Sequence, residues 1–341
     1  ISVLSEMNKV SEDSIFTNSI LVMPFSGGRF PVQLGILTAL YDLKYKPKAI
    51  MGTSGGTFAA FVSLAADFNP NGVERVVSEL SGSLFSCSWV PKGVTFVPSW
   101  MIGVFRPSFF DRKPCSGVFM ELFNPNTIRG TEIWIGTARK GRGVSHFFSN
   151  ISKSESCLNL EMFDPVLTSS MELSFCDGDV EKIQSCCLAS ISVPYIFPSS
   201  TIDGREYVDG AMTYASPLSA MIDTIPDPPH VIYVCGYGDL YKDCEICITN
   251  TDDIPSTYGP MNYINQFLTA LRVQDRLCFL RRLKNLGPLE FISGVGSEHS
   301  LREIHEKIQK SKGSFLVLES TIDGCVGIVE FSQQEDRKSA V

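Results

Sequence analysis

The segment GTSGG at residues 52–56 places one serine, Ser54, between glycines in the G-x-S-x-G pattern. This pattern is typical of a nucleophile elbow, a sharp strand-to-helix turn that pushes the serine side chain away from the backbone. Gly52 and Gly56 would flank the serine because a Cβ at either position would collide with a neighbouring strand or helix. Ser54 could then attack a carbonyl carbon, with the N–H of Gly55 stabilising the oxyanion at the start of the helix. The alternative is an ordinary strand-to-helix turn.

A nucleophilic serine needs a base, and the usual base is histidine. Of the four histidines, His299 and His305 come late enough in the chain for the Ser–acid–His order of α/β hydrolases. Both lie in a charged helical segment, where an exposed helix face explains them better. Asp209 is the other candidate, because it follows the strand-like REYV and α/β sites collect at the carboxyl ends of strands. Its alternative role is that of a turn aspartate that caps the next helix.

A second glycine segment can complete the oxyanion hole. Gly27 and Gly28 follow an apolar strand and precede a helix-like segment. Their N–H groups, with that of Arg29, can therefore face a developing anion. The alternative is an ordinary strand-to-helix loop.

Buried strands alternate with helices along the chain. The apolar patterns predict strands at 20–25, 48–51, 131–138, 171–175, 230–238 and near 314–332, and helices at 57–66, 184–192, 262–284 and 300–310. Residues 200–210 read as a β-hairpin, with a type I′ turn at Asp203-Gly204. This alternation predicts an α/β fold with a mostly parallel sheet covered by helices on both faces.

Composition narrows the function classes. The chain has 341 residues, 44% of them hydrophobic, and a net charge of −8, which argues against nonspecific binding of nucleic acid. The sequence has no apolar run long enough to span a bilayer and no signal-peptide core at its start. The 11 scattered cysteines suit reduced thiols in an intracellular protein. Cys244 and Cys247 form a CxxC without a second pair, so we expect no metal site.

Four ordered motifs resemble those of the patatin-like phospholipase family. They are SGGRFPVQLGILTAL at 26–40, GTSGG at 52–56, ASISVPYIFPSS at 189–200 and YVDGAMTYASPL at 207–218. The resemblance implies a three-layer α/β/α sandwich with a mostly parallel central sheet. It also implies a single domain over residues 15–333, with the motifs in 20–220 and a polar tail at 334–341.

By that resemblance, Ser54 is the nucleophile and Asp209 the general base of a Ser-Asp dyad that needs no histidine, metal or cofactor. The family's Asp-Gly element would be completed by Gly210 and Ala211. The implied oxyanion hole consists of Gly27, Gly28, Arg29 and Gly55. The implied reaction is hydrolysis of phospholipid or acylglycerol esters, with release of fatty acid. Since an exposed aspartate is a weak base, we expect Asp209 to lie in a dry, apolar pocket.

The glycine loop departs from the family pattern, which usually has three glycines and another after its Arg or Lys. Here Ser26 or Arg29 takes the place of the third glycine, and Phe30 follows the arginine. Ala211 replaces the more frequent second glycine of the Asp-Gly element. Two alternative functions stay open. One is acyl transfer to an alcohol on the same dyad, and the other is a non-catalytic lipid-binding or interaction module on a degenerate scaffold.

Two segments have the composition of lipid-contacting surfaces. Residues 89–110 contain two Trp and four Phe, which suits a lid or interfacial loop, or else an apolar insertion packed over the core. The basic side of the predicted helix at 262–284 suits anionic lipid, or else a solvated charged face. We expect an intracellular, cytoplasmic protein that associates peripherally with membranes or lipid droplets and takes phospholipid or neutral lipid as its substrate.

Overall fold

The computed structural model describes residues 18–26, 30–87, 128, 130–140, 144–163, 171–193, 197–212, 217–234 and 301–318. The strands in these ranges are β1 (Ile20–Met23), β2 (Ala49–Thr53), β3 (Glu132–Arg139), β4 (Val144–Ser149), β5 (Met171–Phe175), β6 (Ser200–Ile202), β7 (Arg205–Asp209), β8 (His230–Val234) and β9 (Ser314–Leu318). The α-helices are α1 (Phe30–Asp42), α2 (Gly55–Ala65), α3 (Pro70–Cys87), α4 (Val180–Ser190), α5 (Leu218–Met221) and α6 (Leu301–Lys310).

The described strands form one nine-stranded sheet with the central order β5-β4-β3-β2-β1-β8-β9. Strands β3, β2, β1, β8 and β9 are parallel to one another, and β4 and β5 run in the opposite direction. The sheet is therefore mostly parallel. Strand β9 pairs with β8, so the described residues from both ends of the chain share this sheet.

Helices cover both faces of the sheet, because alternate residues of each central strand point to opposite sides. On β3, Ile133 and Ile135 pack into the core beneath α1, α2, α3 and α4, whereas Trp134 packs into a second core that contains residues of α5 and α6. The predicted three-layer α/β/α sandwich is confirmed. The predicted single domain over 15–333 stays a prediction.

Helix α2 lies deep in the first of these cores. All of its residues except Ala65 are buried, as its apolar character on every side predicts. The next helix, α3, begins with Pro70 at its first position and with the Asn69 side chain accepting hydrogen bonds from the N–H groups of Asn71 and Gly72.

Most predicted elements are found, with shifted ends. The first strand ends at Met23 rather than Phe25, and the helix predicted at 184–192 begins four residues earlier, at Val180. Strand β4 and helices α3 and α5 were not predicted. The expected segments 89–110 and 262–284, the part of the predicted strand region 314–332 that follows Leu318, and the polar tail lie outside the described residues.

The β6–β7 hairpin turns at Asp203 and Gly204, whose φ angles are 48° and 72°. Positive φ at both central residues defines the predicted type I′ turn. The hairpin brings β7 back antiparallel to β3.

Strands β2 and β7 approach each other along the same edge of β3. Thr53, the last residue of β2, pairs with Gly136, and Asp209, the last residue of β7, pairs with the next residue, Thr137. Because β4 occupies the other edge of β3, both strand ends lie on one side. The residue after β2 is Ser54, so this pairing brings the two predicted dyad residues face to face.

Substituting Gly56 with alanine tests the packing of α2 against β1. A Cβ at Gly56 would overlap the carbonyl oxygens of Met23 and Pro24, which are backbone atoms and cannot move aside cheaply. We expect Gly56→Ala to lower the free energy of unfolding by about 1–3 kcal/mol, measured by urea denaturation. Gly130→Ala is the control, because a Cβ there has no atom within 4 Å. Equal unfolding free energies for the two variants would contradict this packing.

Candidate active site

Ser54 occupies the sharp turn between β2 and α2. Its φ and ψ are 54° and −127°, a conformation that is unfavourable for a residue with a Cβ. A Cβ on Gly52 would lie 2.8 Å from the Cα of Thr57, and one on Gly56 would overlap backbone atoms of the β1 end. The two flanking glycines therefore let the helix turn back closely over the strand, as the predicted elbow requires.

The side chain of Ser54 meets that of Asp209. The Ser54 hydroxyl donates a hydrogen bond to Oδ2 of Asp209, with a distance of 2.6 Å between the oxygens. Asp209 is 1% exposed and Ser54 is 6% exposed. The structure thus brings together the two residues that the sequence predicts as a dyad, and it buries the aspartate as predicted.

The other carboxylate oxygen of Asp209 is held by the backbone. Its Oδ1 accepts a hydrogen bond of 2.8 Å from the N–H of Ala211, at the start of the short 3-10 helix that follows β7. The N–H of Asp209 itself donates to the carbonyl of Ser192. A Cβ on Gly210 would overlap the carbonyl oxygen of Gly136, so glycine is required there for β7 to lie this close to β3. Asp209 therefore caps the following turn and contacts the serine as well.

The predicted oxyanion-hole residues Gly27, Gly28 and Arg29 lie outside the described residues, and the flanks of their loop are described. The Ser26 hydroxyl donates a 2.7 Å hydrogen bond to Oε1 of the buried Gln33 side chain. Gln33 in turn donates from Nε2 to the carbonyls of Pro24 and Val234. One buried amide thus links both flanks of the glycine loop to the ends of β1 and β8.

Phe30, the second departure in the loop, is the first residue of α1. It is buried, and its ring packs edge to face against Phe58 of α2 with centroids 4.7 Å apart. The unusual residues Ser26 and Phe30 therefore anchor the flanks of the loop in the protein interior. Gly55, the fourth predicted oxyanion donor, is the first residue of α2, so its N–H has no partner within that helix and points to the helix start.

His146 and His230, the histidines whose side chains are described, bond residues other than the dyad. His146 lies on β4 and its ring nitrogens bond Ser174, Tyr207 and Glu172. His230 begins β8 and bonds Ser314, whereas the dyad lies at the carboxyl end of β2. His299 lies outside the described residues, and His305 lies within α6.

Three residues at the site, Ser190, Thr57 and Gly136, were not predicted to take part in it. Ser190, at the end of α4, accepts a 3.0 Å hydrogen bond from the Ser54 N–H and lies 2.9 Å from the Thr57 hydroxyl. It also donates a 2.6 Å hydrogen bond to the carbonyl of Gly136. Gly136 offered a signal, since a glycine inside a strand often marks a close backbone approach. Ser190 lies in the motif ASISVPYIFPSS at 189–200, but nothing in the sequence marked this serine as a contact of the site.

The described part of the chain contains neither a metal-binding cluster nor a membrane-spanning helix. There, no three His, Cys, Asp or Glu side chains are grouped so that they could hold a metal ion. No helix in those ranges has both the length and the apolar character needed to cross a membrane. Cys244 and Cys247 lie outside the described residues.

The comparison with protein families agrees with this arrangement of an elbow serine and a buried aspartate on an α/β/α sandwich. The model of the patatin-like phospholipase family matches residues 26–222, which is more than half of the chain. The chain therefore belongs to the patatin-like phospholipase family, and the predicted family is confirmed. The family consists in general of lipid acyl hydrolases that act on lipid substrates. No curated protein matches the sequence.

The buried His146 generates a prediction about stability and pH. Burial lowers the pKa of His146 to about 4, more than the nearby Glu172 carboxylate raises it, and Arg205 and Arg139 add to the lowering. Between the ordinary value of about 6.5 and this value, the unfolded chain binds a proton that the folded chain does not. The free energy of unfolding should therefore fall as the pH is lowered through this window, by on the order of 3 kcal/mol from this group.

In the variant His146→Gln this contribution should be absent. Urea unfolding at pH 7, 5 and 4 should show a smaller fall in unfolding free energy for the variant than for the wild type, because the other titrating groups are common to both. Curves that run parallel for the two proteins would contradict the lowered pKa.

Proposed function

We propose that this protein hydrolyses carboxylic ester bonds of phospholipids or acylglycerols, with Ser54 as the nucleophile and Asp209 as the general base. The observation that carries the proposal is the 2.6 Å hydrogen bond from the Ser54 hydroxyl to the Asp209 carboxylate, at a strained elbow. A general base must lie within hydrogen-bond reach of the proton that it removes, and this one does.

In the proposed acylation step, Ser54 Oγ attacks the ester carbonyl carbon and its proton passes to Oδ2 of Asp209. The oxyanion that forms is stabilised by the N–H of Gly55 and, by the family resemblance, by Gly27, Gly28 and Arg29. The C–O bond to the alcohol then breaks, and the leaving alcohol takes the proton from Asp209. The product of this step is an acyl ester on Ser54.

In the proposed deacylation step, Asp209 removes a proton from a water molecule, which attacks the acyl carbonyl. The bond between the acyl group and Ser54 Oγ breaks, and Ser54 recovers the proton from Asp209. The products are the free fatty acid and the starting enzyme. The burial of both side chains supports this chemistry, because a carboxylate shielded from water is a stronger base.

We also propose that the protein acts inside the cell, as a cytoplasmic protein that binds peripherally to membranes or lipid droplets. Its family's substrates are lipids, which are concentrated at such surfaces. Lipid vesicles offer such a surface, so the assay below tests binding to it together with the substrate.

Removal of either dyad residue should abolish or strongly lower fatty-acid release. We expect Ser54→Ala to reduce release from mixed phospholipid and triacylglycerol vesicles to background, because no acyl-enzyme can form. Asp209→Asn should lower the rate by about 10²–10⁴-fold, the usual contribution of a general base. Mass spectrometry of the released fatty acids provides the measurement and names the substrate.

Two matched variants control for loss of folding. Ser63→Ala removes another buried hydroxyl of α2, which bonds the carbonyl of Ala59, and Asp203→Asn removes the exposed turn carboxylate of the hairpin that carries Asp209. Both should release fatty acid at the wild-type rate. A fluorophosphonate should label Ser54 at the wild-type rate in both controls and more slowly in Asp209→Asn. It should not label Ser54→Ala at this position.

Three results would contradict the proposal or favour one of the alternative functions. Equal release by the wild type and Ser54→Ala would exclude Ser54 as the nucleophile. If no folded protein releases fatty acid and none is labelled, the result would favour the non-catalytic scaffold. Acylated alcohol in place of fatty acid, when monoacylglycerol is added to the vesicles, would favour acyl transfer.

A further inference from the structure

The side chain of Ser190 lies between the elbow and the central sheet. It is fully buried, at the last position of α4, and its hydroxyl oxygen has three polar neighbours. These are the Ser54 N–H at 3.0 Å, the Thr57 hydroxyl at 2.9 Å and the Gly136 carbonyl at 2.6 Å.

The direction of all three hydrogen bonds follows from chemistry. The Gly136 carbonyl can only accept, so the single proton of the Ser190 hydroxyl points to it. The Ser54 N–H can only donate, so it uses one lone pair of Ser190. The remaining lone pair then accepts from the Thr57 hydroxyl. The hydrogen-bonding capacity of Ser190 is thus fully used, with no free rotation of its hydroxyl.

The three partners belong to the three parts that build the site. Ser54 is the elbow, Thr57 lies in the first turn of α2, and Gly136 is the β3 residue at which β2 ends. Two residues further along the chain from Ser190, the carbonyl of Ser192 accepts the N–H of Asp209. The segment from the last residue of α4 to Ser192 therefore holds the backbone of both proposed dyad residues.

We propose that Ser190 is a positioning residue for the reaction, which fixes the strained backbone of Ser54 so that its hydroxyl faces Asp209. This inference rests on the proposed function of the dyad. It also has a consequence for the oxyanion hole. The Ser54 N–H is occupied by Ser190, so the hole must be formed by other donors, beginning with the N–H of Gly55.

Loss of the Ser190 hydroxyl should slow the chemical step and leave substrate binding unchanged, because the Ser190 side chain is fully buried and has no exposed surface to contact a substrate. We expect Ser190→Ala to lower kcat and the rate of fluorophosphonate labelling by about 10–100-fold, the scale of effect of a misplaced reacting group. KM for a soluble p-nitrophenyl ester should stay within about 2-fold of the wild-type value, since uniform binding is unaltered.

Three variants separate positioning from a general loss of stability. Ser190→Thr retains the hydroxyl and should recover most of the rate, whereas Ser190→Cys, with its weak acceptor, should not. Ser63→Ala is the control for loss of a buried hydroxyl in a neighbouring helix. Should Ser190→Ala fail to fold, the comparison of the Thr and Cys variants takes its place. A lower melting temperature with wild-type kcat, measured well below that temperature, would overturn the proposal.

Hydrogen exchange tests the same contact without relying on activity. The amide of Ser54 should exchange faster in Ser190→Ala, or in Ser190→Cys, than in Ser63→Ala, because it has lost its acceptor. Unchanged exchange would overturn the positioning role even if the wild type were inactive. A wild type that neither hydrolyses ester nor reacts with fluorophosphonate would instead contradict the proposed function, and faster exchange in that protein would still support the structural contact.

Discussion

The candidate site depends on one meeting point on β3, where β2 and β7 arrive from opposite directions. Thr53 pairs with Gly136 and Asp209 with Thr137, so the two strand ends occupy adjacent positions along one edge. The hydrogen bonds of the sheet set the distance between the two strand ends, and loop flexibility contributes little to it. A slip of β7 by one residue would turn Asp209 to the opposite face of the sheet, away from Ser54.

The unfavourable features of the site are compensated by its surroundings. The backbone of Ser54 is strained, which costs roughly 1–3 kcal/mol, and the Asp209 carboxylate is almost fully removed from water. The carboxylate accepts hydrogen bonds from Ser54 and Ala211, which offset part of its lost hydration. The strained elbow is enclosed by α2, α4 and β3, whose apolar residues form the larger core. The site is stable because the sandwich around it is well packed.

The predictable parts of the molecule are those encoded locally. The elbow at Ser54 and the turn at Asp203-Gly204 follow from a few adjacent residues, and the layers follow from apolar strands that alternate with helices. Asp209 was predicted from its place at a strand end and from the family resemblance. Strand β4 was missed because its buried residues, which lie on both faces of the sheet, include Ser145, His146 and Ser149 and do not read as an apolar strand.

The contacts that hold the site together were not predictable, since they join distant residues. Ser190 and Ser54 are 136 positions apart, and Gln33 bonds a carbonyl 201 positions away. A buried serine or glutamine has no sequence pattern that identifies its partner, because one hydroxyl or amide can bond any backbone group that the fold places beside it. Such residues are recognised only when the fold is known.

In the proposed mechanism, the two oxygens of Asp209 explain how the site uses an aspartate in place of the more common histidine. The sequence left two roles open for this residue, a helix cap or a base, and the geometry is compatible with both at once, because one oxygen accepts from the Ala211 N–H and the other accepts from the Ser54 hydroxyl. Because Oδ1 is bonded to the Ala211 N–H, the carboxylate cannot rotate freely, and Oδ2 is kept toward Ser54. In the proposed mechanism this one oxygen takes the proton from the serine and later from water. A histidine base needs a third residue to orient its ring, whereas here the turn after β7 orients the carboxylate directly. In the proposed mechanism, the glycine and alanine that follow Asp209 are therefore part of what makes this carboxylate usable as a base.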